Sequence, residues 1–242
     1  MPAGSPLSTL RTTLGRTYGF VDDRLTGLVL ARRYHLPPEV AYKLPPEALG
    51  LRPGELWGKG SDRIYHEPSP WGILGRVLRS GEISPRDVFI DLGCGTGRVL
   101  FEAALRYPFR RAIGVDFVPE LTEIASKAAT RNRHRLRCPE VELVTQDLAT
   151  YRIPDDVTVG FLYDSVRGAL FDEVVGELIA SVDRNPRRVR LVYFRPREAL
   201  RLEATGRARF VRHGRRAVRR WLPAEYLAMY EIEPPSDRDA GA

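Results

Sequence analysis

Three glycines at alternate positions, Gly93, Gly95 and Gly97, follow an apolar run and an acid in the stretch FIDLGCGTGR at 89–98. Glycines so placed let a backbone turn approach a ligand closely, and a helix starting there offers unpaired N–H groups to a phosphate or a carboxylate. Asp91, two residues before the first glycine, narrows what the turn can hold, because a carboxylate there repels a pyrophosphate and attracts a cation. Acids recur where the next two apolar runs end. Asp116 in GVDF can accept both hydroxyls of a ribose, and Asp147 in TQD can accept from the exocyclic amine of an adenine or serve as a helix cap or loop acid. Phe117, beside Asp116, either lies against an adenine face or is a core residue at a strand end. S-adenosylmethionine (SAM), an adenosine carrying an ammonium and a sulfonium centre, suits this set better than NAD, whose pyrophosphate would meet Asp91.

These residues need a scaffold that brings strand ends together. From Asp87 onward short apolar runs alternate with longer amphipathic ones, the pattern of a parallel sheet covered by helices on both faces. Strands are predicted at 88–93, 112–117, 141–147, 157–164 and 189–194. Helices are predicted at 97–106, 119–137 and 168–184, with a further one at 70–79 laid beside the first strand. Two more extended runs, 208–214 and 225–233, have no long helix between them and should pair as an antiparallel hairpin on the sheet edge. The fold class is therefore α/β, a Rossmann-like, seven-stranded, mostly parallel sheet with a C-terminal antiparallel hairpin. Residues 1–64 differ in kind: a helical stretch within 9–34 precedes PPEVAYKLPPEALGLRPGELWGKG, with five prolines in 24 residues. They read as a helical arm and irregular cover over the substrate site, 65–236 as the main domain and 237–242 as a disordered tail.

Composition bounds the class. The 242 residues are 43% hydrophobic, enough for a substantial core, and no apolar run approaches the roughly 18 to 20 residues of a membrane span. The N-terminus lacks the order of a secretory signal, so a soluble cytoplasmic protein is expected. Cys94 lies inside the glycine turn, where a disulfide would obstruct the backbone, so it and Cys138 read as reduced thiols. The four histidines show no metal-ligand spacing, and no metal is expected. The net charge of +7 is uneven: residues 1–86 hold 12 basic against 8 acidic residues, 87–183 hold 11 against 16, and 184–242 hold 15 against 7. This C-terminal excess, all of it arginine, is either a solvated face or an anion-binding surface.

Taken together, DVFIDLGCGTGR, then GVDF, then a strand ending in Gln146-Asp147, then FLYD resemble the class I SAM-dependent methyltransferases, specifically at the superfamily level and over residues 62–233. The resemblance implies that Gly93, Cys94, Gly95 and Gly97 surround the methionine part of SAM, with Asp91 near its amine. It implies Asp116 at the ribose hydroxyls, Asp147 with Gln146 at the adenine amine and Phe117 beside it. Tyr65-His66-Glu67-Pro68-Ser69 resembles a Y-x-P-[ST]-like segment that folds over the cofactor in some bacterial members and, loosely, in the non-SET histone-lysine methyltransferases. On that likeness Tyr65, Glu67 and Ser69 join the cofactor set; otherwise Ser69 caps a helix.

Tyr163-Asp164-Ser165-Val166 stands where amino-group methyltransferases often have (N/D)-P-P-(F/Y). It keeps the acid and lacks the prolines and terminal aromatic, which weakens a nucleic-acid base as acceptor. Asp164 is the candidate base or orienting group unless it only caps the next helix, and Tyr163 is a candidate cavity wall. The acceptor expected is a small metabolite, natural product or peptide, enclosed by the N-terminal arm, with the protein a monomer or homodimer. Two other classes remain. One is a methyltransferase acting on RNA or a ribosome-associated protein through the arginine-rich end, which has few aromatics for base stacking beyond Trp221. The other is a SAM-binding partner subunit without catalysis.

Overall fold

The computed structural model describes residues 24–42, 68–215 and 226–235. Helix α1 runs through 24–34 and a short helix α2 through Pro38–Ala41. The main domain then runs β1 (Val88–Leu92), α3 (Arg98–Arg106), β2 (Arg111–Asp116), α4 (Pro119–Asn132), β3 (Glu140–Thr145), β4 (Val159–Tyr163), α5 (Gly168–Arg184), β5 (Val189–Phe194), α6 (Ala199–Ala204), β6 (Ala208–His213) and β7 (Leu227–Ile232). The sheet order is β3-β2-β1-β4-β5-β7-β6. Its first five strands are parallel, and β7 is antiparallel to both β5 and β6. The predicted hairpin therefore forms at the sheet edge, with its second strand innermost.

Every residue of β1 is buried, as expected of a parallel strand covered on both faces. The two-residue side-chain period of the strand sorts its residues: Val88, Ile90 and Leu92 join the core under α5, with Phe171, Val174 and Leu178. Phe89 faces the other way, into the core with Val99, Leu100 and Phe161. Asp91 shares that second face, so its carboxylate is delivered under α3 rather than to solvent.

Two expectations are corrected. Residues 70–79 form no α-helix; tight turns occupy Leu74–Arg76 and Ser80–Glu82 instead. Gly72 takes φ 76°, which ends any α-helical run. The helix expected at 119–137 stops at Asn132, with one tight turn at Arg133–Arg135 before Cys138 tucks into the core. Among the described residues no helix is long and apolar enough to cross a membrane.

Candidate functional site

The parallel order reverses between β1 and β4, since β2 and β3 extend one way from β1 and β4 and β5 the other. At such a point the connections leave the carboxyl ends in opposite directions and open a crevice between them. Residues 93–97 lie here. Gly93 and Cys94 both donate their N–H to the Val115 carbonyl at 2.9 Å, which folds the turn back against the end of β2. Gly93 and Gly97 adopt φ 82° and 78°, the left-handed region. Neither has room for a Cβ: it would fall 2.9 Å from Ser165 in the first case and 2.7 Å from Ala125 in the second.

Two acids converge on this turn. Asp91 is 2% exposed and accepts from the Leu100 N–H in the first turn of α3. Burial and the nearby Asp116 push its pKa up to about 8. Asp116 accepts from the Gly95 N–H at 2.8 Å and the Val118 N–H at 3.0 Å, and burial raises its pKa as well. Among the described residues neither carboxylate has an ion-pair partner. The glycine cradle and two buried acids without a cation fit a ligand that is slender where it passes the turn and cationic beside Asp91. Phe117 is half exposed at the rim, and the Gln146 N–H donates to the Asp116 carbonyl at 3.0 Å, which brings the end of β3 alongside. Asp147 turns its carboxylate to the Ala149 N–H at 3.0 Å. The Cys94 thiol is buried and pushed up well above the usual thiol range by burial, an inert group lining the turn.

Ser69 is buried and its carbonyl meets α3, whereas Tyr65 and Glu67 lie outside the described residues. What draws Ser69 in is a residue that sequence reasoning passed over, Arg98. It is 3% exposed, and its guanidinium donates to the carbonyls of Val40 (3.1 Å), Ser69 (3.0 Å) and Ala41 (3.2 Å) while lying over the Trp71 ring. It thereby ties α2 and the segment before β1 to the helix that begins at the glycine turn. One turn further along α3, Glu102 accepts from the Gly75 N–H, and burial raises its pKa to about 7. A sequence signal for Arg98 exists: a cation in the first turn of a helix opposes the macrodipole, which is tolerable when other acceptors hold it.

Across the crevice, Tyr163 and Phe194 pack their rings 4.5 Å apart at the ends of β4 and β5, with the Arg195 guanidinium over both. Asp164 follows Tyr163 with φ 37°, and Arg195 follows Phe194 with φ 51°. A left-handed residue that is not glycine costs on the order of 1 kcal/mol, and such strain gathers at functional sites. Asp164 is 5% exposed and already held by cations: Arg167 reaches both of its oxygens, at 3.1 and 3.0 Å, and Arg197 approaches within 3.2 Å. Ser165 donates to the Leu92 carbonyl at 3.1 Å and fills the space beside Gly93, so this cluster borders the glycine turn directly.

Comparison with known proteins matches residues 49–150 to the family described as "Histone methylation protein DOT1". That span takes in the glycine turn and the ends of β2 and β3. A protein-lysine N-methyltransferase of Saccharolobus islandicus (strain REY15A) is 36% identical over 57 residues, covering 24% of this chain and 35% of that protein. A histone-lysine N-methyltransferase, H3 lysine-79 specific, of Dictyostelium discoideum is 40% identical over 65 residues, covering 27% of this chain and 3% of that protein. The chain thus spans about a third or less of the length of the curated relatives it matches. Among solved structures, an RNA methyltransferase from Salinibacter ruber in complex with S-adenosyl-L-homocysteine (SAH) superposes with a TM-score of 0.46 at 22% identity, covering 70% of this chain and 95% of that one.

Proposed function

We propose that this chain, which belongs to the class I SAM-dependent methyltransferase superfamily, is an enzyme that moves the SAM methyl group to the ε-amine of a lysine in a protein acceptor. The observation that carries the cofactor half is the pair of buried acids beside a turn with no room for side chains. Asp91 would hold the ammonium, Asp116 the ribose hydroxyls, and Phe117, Gln146 and Asp147 the adenine end. When bound, the cofactor supplies an electrophilic methyl on a sulfonium sulfur. The task left to the protein is alignment of a nucleophile on the far side of that methyl.

Support for lysine comes from both relatives, named as methyltransferases of protein lysines, and the family match adds histone methylation. Asp164 adds a buried carboxylate just after β4, next in sequence to Ser165, which packs against Gly93 of the turn. With both oxygens engaged by arginines it suits an orienting role better than that of a proton acceptor. A small metabolite, natural product or peptide acceptor walled in by the arm draws less support. The described part of the arm packs on α3 and α4, through Val40, Ala41, Phe101 and Ala128. An RNA acceptor gripped by the C-terminal arginines is also less favoured, because those described are largely spoken for. Arg184 pairs with Asp155 and Glu177, Arg190 with Asp87, Arg207 with Asp183, Arg209 with Glu231 and Arg212 with Glu82.

The test is incubation of the full chain with methyl-labelled SAM and a core-histone mixture, followed by hydrolysis and separation of the labelled amino acids. Label on lysine is expected. Label on RNA or on small molecules from an extract, with none on lysine, would replace the acceptor; absence of SAH binding by calorimetry would remove the cofactor reading itself.

A further inference from the structure

The two cations on Asp164 are held in different ways. Arg167, three residues along the same loop, engages both carboxylate oxygens and is two-thirds buried. Arg197 reaches over from the loop after β5, meets one oxygen through Nε at 3.2 Å, and leaves 60% of its side chain in solvent. Its backbone is pinned, since its N–H donates to the Arg195 carbonyl at 2.8 Å. The side chain is not. An exposed single-contact ion pair contributes little and is readily exchanged, whereas a buried carboxylate stripped of every cation is strongly disfavoured.

We propose that Arg197 stands in for a cationic acceptor: an incoming lysine ammonium takes its place on Asp164 while Arg167 stays, and releases one proton to solvent before its nitrogen takes the methyl, so that Arg197 competes with the acceptor and sets its specificity. The exchange conserves charge, because one cation leaves as another arrives. A neutral or anionic acceptor would gain nothing from it, since Asp164 offers such a group no unpaired charge. The position is right for an acceptor, because Ser165, next in sequence, packs against Gly93 of the cofactor turn. The inference rests on the lysine reading above.

The experiment measures transfer of labelled methyl to poly-L-lysine by the full chain and three variants, with SAH affinity and thermal unfolding recorded for each. Arg197→Gln removes the competitor and should lower the KM for poly-L-lysine about threefold to fivefold, with kcat within about twofold and SAH affinity unchanged. Arg197→Lys restores a cation and should return KM toward the parent value. Asp164→Asn, which removes the contested charge, should raise it. A KM unchanged or raised in Arg197→Gln, with the parent chain active, overturns the competition while leaving the lysine reading intact. Loss of transfer to poly-L-lysine in every protein, with SAH still bound, overturns the lysine reading and the inference with it.

Discussion

The proposed cofactor side and the proposed acceptor side of the crevice both present buried acids, and they treat them in opposite ways. Asp91 and Asp116 have backbone N–H partners and, among the described residues, no cation, so burial favours their protonated forms. Asp164, equally buried, is held by two cations, Arg167 and Arg197. An acid left without a counter-charge is prepared to receive one from a ligand, whereas an acid already paired binds a cation only by exchange. The first arrangement favours affinity and the second selection, which is what a shared cofactor and a specific acceptor respectively require.

The contrast can be strained at several points. The largest effect is expected at Arg98, whose removal strips three buried carbonyls of a charged donor and frees the arm from α3. Arg98→Ala should cost about 2–4 kcal/mol in denaturant unfolding and weaken SAH binding, with Arg98→Lys intermediate. Unfolding at the parent midpoint would show that the arm is not braced there. Asp116→Ala should cost roughly 1–3 kcal/mol of SAH binding, about tenfold to a hundredfold, through lost charge-assisted hydrogen bonds. Unchanged affinity by calorimetry would remove Asp116 from the ribose.

A third effect is a dependence on pH. Asp91 titrates near 8 in the fold and Glu102 near 7, both above their ordinary values of 3.8 and 4.5. The folded chain therefore holds more protons than the unfolded chain between about pH 4 and pH 8, and stability of the free protein should fall across that window as pH rises. SAM affinity should move the other way, because an ammonium beside Asp91 favours the ionised carboxyl. It should rise to a maximum near pH 8, where α-amino groups, at about 7.7–8.0, begin to lose their charge. A flat affinity profile from pH 6 to pH 8 would take Asp91 away from the ammonium. The smallest effect belongs to the paired acid: Asp164→Asn should leave SAH affinity within about twofold while lowering turnover. A large loss of SAH binding in that variant would erase the distinction between the two sides.

Much of this architecture can be read from the chain. Seven strands were expected and seven are found among the described residues, with ends displaced by a residue or two, because short, largely apolar runs between amphipathic ones leave a plain record. The missed pieces are short. Residues 70–79 have helical spacing, yet the left-handed Gly72 breaks the run, and α6 is only six residues long. The arginine-rich end looked like either a solvated face or a clamp. Its described members lie beside Asp87, Asp155, Asp183 and Glu82, residues far off in sequence, so no local pattern reveals the pairing.

The division has a physical basis. Asp91 and the three glycines sit within one strand-turn-helix unit, so their types and spacing are legible together, and Asp116 follows at the end of the next strand. The sequence by itself therefore determined the fold class and raised the cofactor reading proposed above. Arg98 reaching Val40 and Ser69, and Arg197 meeting Asp164 from the loop after another strand, depend on packing between distant segments and on two strained left-handed residues. Burial and charge balance arise only when those segments meet, so the bracing of the arm and the character of the acceptor side were decided by the tertiary structure.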